Sequence, residues 1–232
     1  GIYREFSPST YYKIMADNPA LNLPPEIEEG RNERLALQVQ SELSNKASTI
    51  DAAIVHGRYD KGTVQSKIYQ HNRICGLFAL LGLEHPRRID PAIIDRGYSL
   101  DDILIEVKLG FASLLRRLPA FADPLPTVRK TAELTSEQRD KFAYVDMLKS
   151  LLGDDLVALG AYGSSTRETK PEAINDYDNY VIVEEGSIER VLHAVRGKKF
   201  VHPRDGKHVG INIVEAPRFG LFNRMNHDPS DL

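Results

Sequence analysis

A chain of 232 residues holds one large domain or two small ones, and either buries a workable core. Its hydrophobic fraction of 41% and charged fraction of 27% are those of an ordinary soluble protein, and a net charge of −3 supplies no general pull toward nucleic acid. No apolar run reaches membrane-spanning length, no secretory signal is read at the start, and the single cysteine, Cys75, excludes an internal disulfide and fits a reducing compartment, so a cytoplasmic protein with no membrane partner is expected.

The first elements are helical. Leu35, Val39, Leu43, Ala47, Ile50 and Ile54 recur at helical spacing, as do Val64, Ile68, His71, Cys75 and Phe78, and later Leu104, Val107, Phe111, Leu114 and Leu118. Each stripe needs a partner to bury it, which predicts a bundle of helices or an αα subdomain over residues 1–118. Ser99 with Asp102 is a start signal for the last helix. His71 and Cys75 sit on an apolar stripe and read as core residues rather than as a ligand and a nucleophile.

Pro119, Pro124 and Pro126 then interrupt the pattern and mark a linker over 119–134. Thr135 and Gln138 form a capping box that opens a helix carrying Phe142, Val145, Leu148 and Leu152. After it come an apolar strand from Leu156 to Tyr162, a short helix, a second strand from Asn175 to Glu184, a helix from Ile188 to Arg196, and a basic hairpin from Lys198 to Glu215. The alternation predicts a small mixed sheet over 135–232, and hence an α+β chain: a helical N-terminal region followed by a small mixed-sheet α/β domain.

The chemistry sits in the string LVALGAYGSSTRETKPEAINDYDNYVIVEE. Gly163 ends the first strand and lets the backbone turn tightly against a ligand. Ser164, Ser165 and Thr166 follow where a helix begins, so backbone N–H groups and hydroxyls can face a phosphate, with Arg167 and Lys170 adding charge and Pro171 keeping the helix short. Ser165 with Glu168 is equally a capping box, so Ser165 is a cap or a phosphate contact. On the second strand Asp176 and Asp178 are two apart and share a face while Tyr177 points away. Two carboxylates on one face suit Mg²⁺, which binds through one or two carboxylates plus substrate phosphates. The ordinary reading of Asp-x-Asp is an exposed turn, for which Asn175 and Asn179 are fitting flanks, but the apolar run from Tyr180 to Val183 argues against it.

Gly163-Ser164 followed by Asp176-Tyr177-Asp178 resembles the signature of the nucleotidyltransferase superfamily that includes DNA polymerase beta, in the style of its minimal domains. The likeness covers roughly residues 136–216, about a third of the chain, and either half of the motif alone is weak. It implies that Gly163 and Ser164 hold a nucleoside triphosphate such as ATP, that Asp176 and Asp178 hold Mg²⁺ or Mn²⁺, and that a third carboxylate on a later strand completes the site. The implied reaction moves a nucleoside monophosphate to an acceptor hydroxyl or phosphate of RNA, protein or a small molecule, with release of pyrophosphate.

The later strand carries Asn212 where that third catalytic carboxylate is expected. An amide oxygen can ligate a metal, but the group is neither a general base nor a charge. Asp205 and Glu215 are candidate substitutes, although Glu215 lies three residues from Asn212 and so faces the other side of a regular strand. The alternative is therefore an impaired domain that binds nucleotide, RNA or a protein partner. A second chemical reading, a glycosyltransferase holding a sugar nucleotide through Asp-x-Asp and a metal, is the runner-up because the preceding sequence is mainly helical. From Ile188 to Asn226 eight Lys/Arg (Arg190, Arg196, Lys198, Lys199, Arg204, Lys207, Arg218, Arg224) stand against Glu189, Asp205 and Glu215, a basic segment that suits a triphosphate or a nucleic-acid acceptor, or is merely a solvated face. His202, His208 and His227 have no zinc spacing.

Overall fold

The structure, a computed structural model, describes residues 16, 17, 35, 39, 42, 43, 49–57, 59–118, 134–167 and 171–219. Lys170, Glu168, Ala47, Arg224, His227 and the proline-rich segment 119–133 lie outside the described residues. Two compact units divide the chain: Gly1–Ile50 with Tyr59–Pro119 and Met225–Leu232, and Asp51–Arg58 with Ala120–Arg224. Helices and one three-stranded mixed sheet make the described protein α+β. No described helix is long and apolar enough to cross a membrane.

In the first unit α1 spans Lys61–Leu80 and α2 spans Leu100–Arg117. Asp60 caps α1, its carboxylate accepting from the Thr63 N–H at 2.7 Å, while α2 has Asp101 and Asp102 in its first turn and Arg116 and Arg117 in its last, the order that complements a helix dipole. The predicted stripes are the buried faces: Val64, Ile68, His71, Cys75 and Phe78 on α1, and Leu104, Val107, Phe111 and Leu114 on α2. The helices meet where α2 has no side chain, since a β-carbon on Gly110 would come within 2.3 Å of His71 Nε2. His71 is thus a core group, and burial holds its pKa below the ordinary histidine value. Burial likewise pushes the Cys75 thiol up to about 11, which removes it as a nucleophile at neutral pH. Asn72 fastens the loop after α1 by a reciprocal pair, its amide donating to the Ile89 carbonyl at 2.7 Å and accepting from the Ile89 N–H at 2.8 Å.

The second unit begins its sheet-forming part with the capping box, in which Thr135 accepts from the Gln138 N–H at 3.2 Å and the Gln138 side chain accepts from the Thr135 N–H at 3.0 Å. The single helix expected there is two, α3 (Ser136–Lys141) and α4 (Val145–Leu152). The break at Phe142 swings Tyr144 inward, where it is 1% exposed and its hydroxyl donates to the Asn179 side chain at 2.8 Å. A buried hydrogen bond to the sheet outweighs one more turn of regular helix.

Strands β1 (Leu156–Tyr162), β2 (Tyr177–Val183) and β3 (Val209–Glu215) form a sheet in the order β1-β2-β3, with α5 (Ser164–Arg167) after β1 and α6 (Ile188–Val195) between β2 and β3. β1 runs antiparallel and β3 parallel to β2. A parallel pair needs a crossover, and α6 supplies it with a buried stripe of Ile188, Val191, Leu192 and Val195. The expected basic hairpin is therefore only partial: Val201 bridges His208, and the chain then leaves to pair in parallel with β2. β3 is an edge strand, and its outward Ile213 N–H is met by the buried carboxylate of Asp51, from the helical residues 51–56, at 2.8 Å.

Removing that acceptor leaves a buried donor unmet, so Asp51→Ala should lower unfolding free energy by about 1–3 kcal/mol. Urea denaturation read by circular dichroism measures it, and an unchanged midpoint would show that the Ile213 N–H needs no partner.

Candidate functional site

Every second residue of β2 points to one side, and the parallel and antiparallel registers set its neighbours. Asp178 stands opposite Tyr162 of β1 and Gly210 of β3, and Tyr180 opposite Gly160 and Asn212. Tyr162, Asp178, Tyr180 and Asn212 consequently share one face. The strand expected from Asn175 begins at Tyr177, so Asp176 lies just before β2, where its charge acts on Asp178.

The Asp178 carboxylate lies against two glycines, Gly163 in the turn after β1 and Gly210 opposite it on β3. Gly163 turns at φ +73°, a conformation open to glycine, and a β-carbon there would lie 3.3 Å from Asp178 Oδ2. A β-carbon on Gly210 would lie 2.7 Å from Asp178 Oδ1, closer than real contacts allow. The carboxylate is half-buried between these two backbones, and burial first, then the Asp176 charge, raises its pKa above the usual carboxylate value. Two like charges in a partly desolvated place favour a cation between them.

The turn after β1 carries a second unmet group. Ser164 Oγ is buried and has no hydrogen-bond partner among the described residues. Its neighbours are occupied: Ser165, fully buried, donates to the Tyr162 carbonyl at 2.9 Å, and Thr166 donates to the Gly163 carbonyl at 2.8 Å. Ser165 thus faces inward, and its donated proton serves the preceding strand rather than a ligand. Arg167 is exposed at the end of α5.

Asn212 projects on the Asp178 face, and its amide is hydrogen-bonded to the Tyr162 hydroxyl. Tyr162 stacks on Tyr180 with ring centroids 4.5 Å apart, and burial followed by the Asp178 charge holds its hydroxyl above the ordinary tyrosine pKa. Neither substitute carboxylate joins them. Glu215 is buried and accepts from the Gly186 N–H at 2.9 Å at the far end of β3. Asp205 accepts from the Tyr177 hydroxyl at 3.0 Å and the Lys207 N–H at 3.0 Å, and lies 3.1 Å from His202 Nδ1. Burial alone would raise the Asp205 pKa, but these donors hold it below the usual value. All three contacts lie on the Tyr177 side of β2.

The Asn179 flank is no exposed turn. It is buried in β2, accepts from Tyr144, and donates to the Tyr177 carbonyl at 2.8 Å. Part of the basic segment is already engaged, with Arg190 on Asp155, Arg204 on Asp140, and Lys207 Nζ on the Ile174 carbonyl. A residue that spacing alone passed over also reaches this face. His208 Cε1 lies 3.7 Å from the position of a β-carbon on Gly210, beside Asp178, and only the register of β3 against β2 brings it there.

Among the described residues no group of three or more His, Cys, Asp or Glu is placed to hold a metal. The donor set is two carboxylates and an amide, which fits a hard cation that takes its remaining oxygens from a ligand's phosphates and does not fit a cage made by protein alone. Comparison of the chain with protein-family models, with characterised proteins and with solved structures finds no match.

The raised Asp178 pKa has a definite sign for stability. A carboxyl that binds its proton more tightly when folded favours the fold below its unfolded pKa, and that contribution is lost as pH rises through the folded pKa. At neutral pH the ionised Asp178 therefore weakens the ligand-free protein. Asp178→Asn should raise the thermal midpoint at pH 7, and the difference from wild type should shrink at pH 3, as scanning calorimetry would record. A lower midpoint at both pH values would mean that the carboxylate is a structural bond.

Proposed function

We propose that the second unit is a Mg²⁺-dependent nucleotidyltransferase, which transfers a nucleoside monophosphate from a nucleoside triphosphate to an acceptor hydroxyl or phosphate. The observation that carries this reading is the Asp178 carboxylate, its pKa raised by burial and by the Asp176 charge, lying against the Gly163 turn whose Ser164 hydroxyl lacks a partner among the described residues. An anion-accepting turn and a cation-attracting carboxylate pair so close together suit a phosphate chain with its metal.

Asp176 and Asp178 would hold the cation, with the Asn212 amide oxygen as a neutral third donor. Bound there, the metal supplies charge neutralisation of the triphosphate and of the departing pyrophosphate. Gly163 admits the phosphates close to the backbone, Ser164 donates its hydroxyl to a phosphate oxygen, and Arg167 adds positive charge, as does Lys170 three residues on in the sequence. Tyr162 keeps Asn212 oriented through their hydrogen bond. The acceptor is RNA, a protein side chain or a small molecule, and a reducing cytoplasm is the setting in which such a triphosphate is abundant.

A second reading is favoured by one observation. Asn212 stands at the third acidic position while Asp205 and Glu215 are engaged elsewhere, as in a domain that binds nucleotide, RNA or protein without turning over.

Incubation with each α-labelled nucleoside triphosphate and Mg²⁺ or Mn²⁺, with RNA and cell extract present, separates the two. Label should appear in one acceptor class and fall at least about 100-fold in Asp176→Ala. Metal-dependent nucleotide binding without transfer would leave the binding reading, and binding unchanged by Asp176→Ala would sink the site altogether. Asn212→Asp is expected to tighten Mg²⁺ binding by about tenfold, measured by titration calorimetry in the presence of a non-hydrolysable triphosphate analogue.

A further inference from the structure

If transfer occurs, a proton must leave the attacking hydroxyl, and Asn212 cannot take it. The Asp178 pair is committed to the cation on this reading. The Tyr162 hydroxyl on this face is held above the ordinary tyrosine pKa and is engaged by the Asn212 amide, which leaves His208 as the candidate.

Its backbone is fixed from both sides: its carbonyl accepts from the Tyr177 N–H at 2.9 Å, and the residue bridges Val201. His208 and Asp176 each stand one residue before the first paired positions of β3 and β2, Val209 and Tyr177. Within the ring, Nε2 is buried and has no hydrogen-bond partner among the described residues, and the adjoining Cε1 faces the space that a side chain on Gly210 would fill. Asp178 Oδ1 borders that same space, 2.7 Å from the β-carbon position against 3.7 Å for His208 Cε1. The bare backbone of Gly210 therefore separates a metal-holding oxygen from an unmet imidazole nitrogen. The His56 ring packs on that imidazole, 4.7 Å away and tilted by 40°. A buried imidazole nitrogen left without a partner costs free energy, which singles it out on this face.

We propose that His208 is the proton acceptor of the transfer, replacing the carboxylate missing at Asn212. The proposal rests on the nucleotidyltransferase reading. In the tautomer with Nδ1 protonated, Nε2 takes the proton of the acceptor hydroxyl as its oxygen forms a bond to the α-phosphorus. The bond from the α-phosphorus to the bridging oxygen breaks, and pyrophosphate leaves with that electron pair. The imidazolium afterwards returns its proton to solvent, so no oxidant or further reactant is needed.

The experiment measures single-turnover transfer and Mg²⁺-dependent binding of a non-hydrolysable triphosphate analogue in wild type, His208→Gln and His208→Ala. Transfer should fall about 100-fold or more in both variants while analogue binding stays within about twofold, and added imidazole should restore transfer to His208→Ala in proportion to its concentration. Wild-type transfer with full activity in His208→Gln would overturn His208 alone and leave the nucleotidyltransferase reading standing. Loss of analogue binding in both variants, or transfer that imidazole does not restore, would make His208 a structural residue and also overturn the proposal. Analogue binding by wild type with no transfer to any acceptor would overturn both.

Discussion

One steric constraint bears on the centre of the second unit: the two carboxylate oxygens of Asp178, on the central strand, each lie where a glycine leaves room. Its partner on β1, Tyr162, keeps a side chain, and the room comes from the glycines beside it. Here the turn glycine Gly163 on one side and Gly210 on the other give its two oxygens the space, at the cost of two backbone positions that pack little. Glycine at Gly210 weakens β3, which is already an edge strand, and Asp51 compensates from outside by accepting the Ile213 N–H. The carboxylate, the two glycines and the buried acceptor are thus parts of a single arrangement.

The two faces of β2 differ in how fully their polar groups are paired. On the odd-numbered face Tyr177 stacks on His202 with centroids 4.4 Å apart, Asn179 bonds Tyr144, and Asp205 gathers donors from Tyr177 and Lys207. Polar groups there are paired, and a paired buried network holds a unique geometry. On the even-numbered face Asp178 carries a charge its surroundings disfavour, and Ser164 and His208 each present a buried atom without a partner among the described residues. A buried polar atom without a protein partner calls for an explanation, and a ligand would be one.

Much of this was legible in residue order, because periodicity and turn chemistry are local. The strands Leu156–Tyr162 and Val209–Glu215, the Thr135 capping box, and the buried stripes of α1 and α2 all follow from side-chain spacing. Asp176 and Asp178 were readable as a pair for the same reason. What spacing could not supply is register. The split between α3 and α4 depends on Tyr144 reaching Asn179, thirty-five positions away, and the parallel course of β3 depends on α6 carrying it past β2. Gly210 and His208 had no local signature, since their importance comes only from lying beside Asp178. Ser165 was ambiguous because a hydroxyl near a helix start can accept or donate, and only the Tyr162 carbonyl decides which.

Asn212 bears on how the cation would arrive. Asp178 already has a raised pKa with one acidic neighbour, and a third carboxylate on the same face would add another like charge to a half-buried cluster. An amide avoids that cost and can be fastened by a neutral partner, which the Tyr162 hydroxyl provides. The consequence is a smaller negative charge facing the metal, hence weaker retention of a bare ion. On the nucleotidyltransferase reading the cation is then best held when the triphosphate brings its own oxygens, so that metal and nucleotide enter together and neither occupies the face alone. A fully acidic site would hold metal in advance of substrate; the amide makes occupancy depend on the nucleotide, and the unmet Ser164 hydroxyl at the adjoining turn adds to the preference for the pair over the ion.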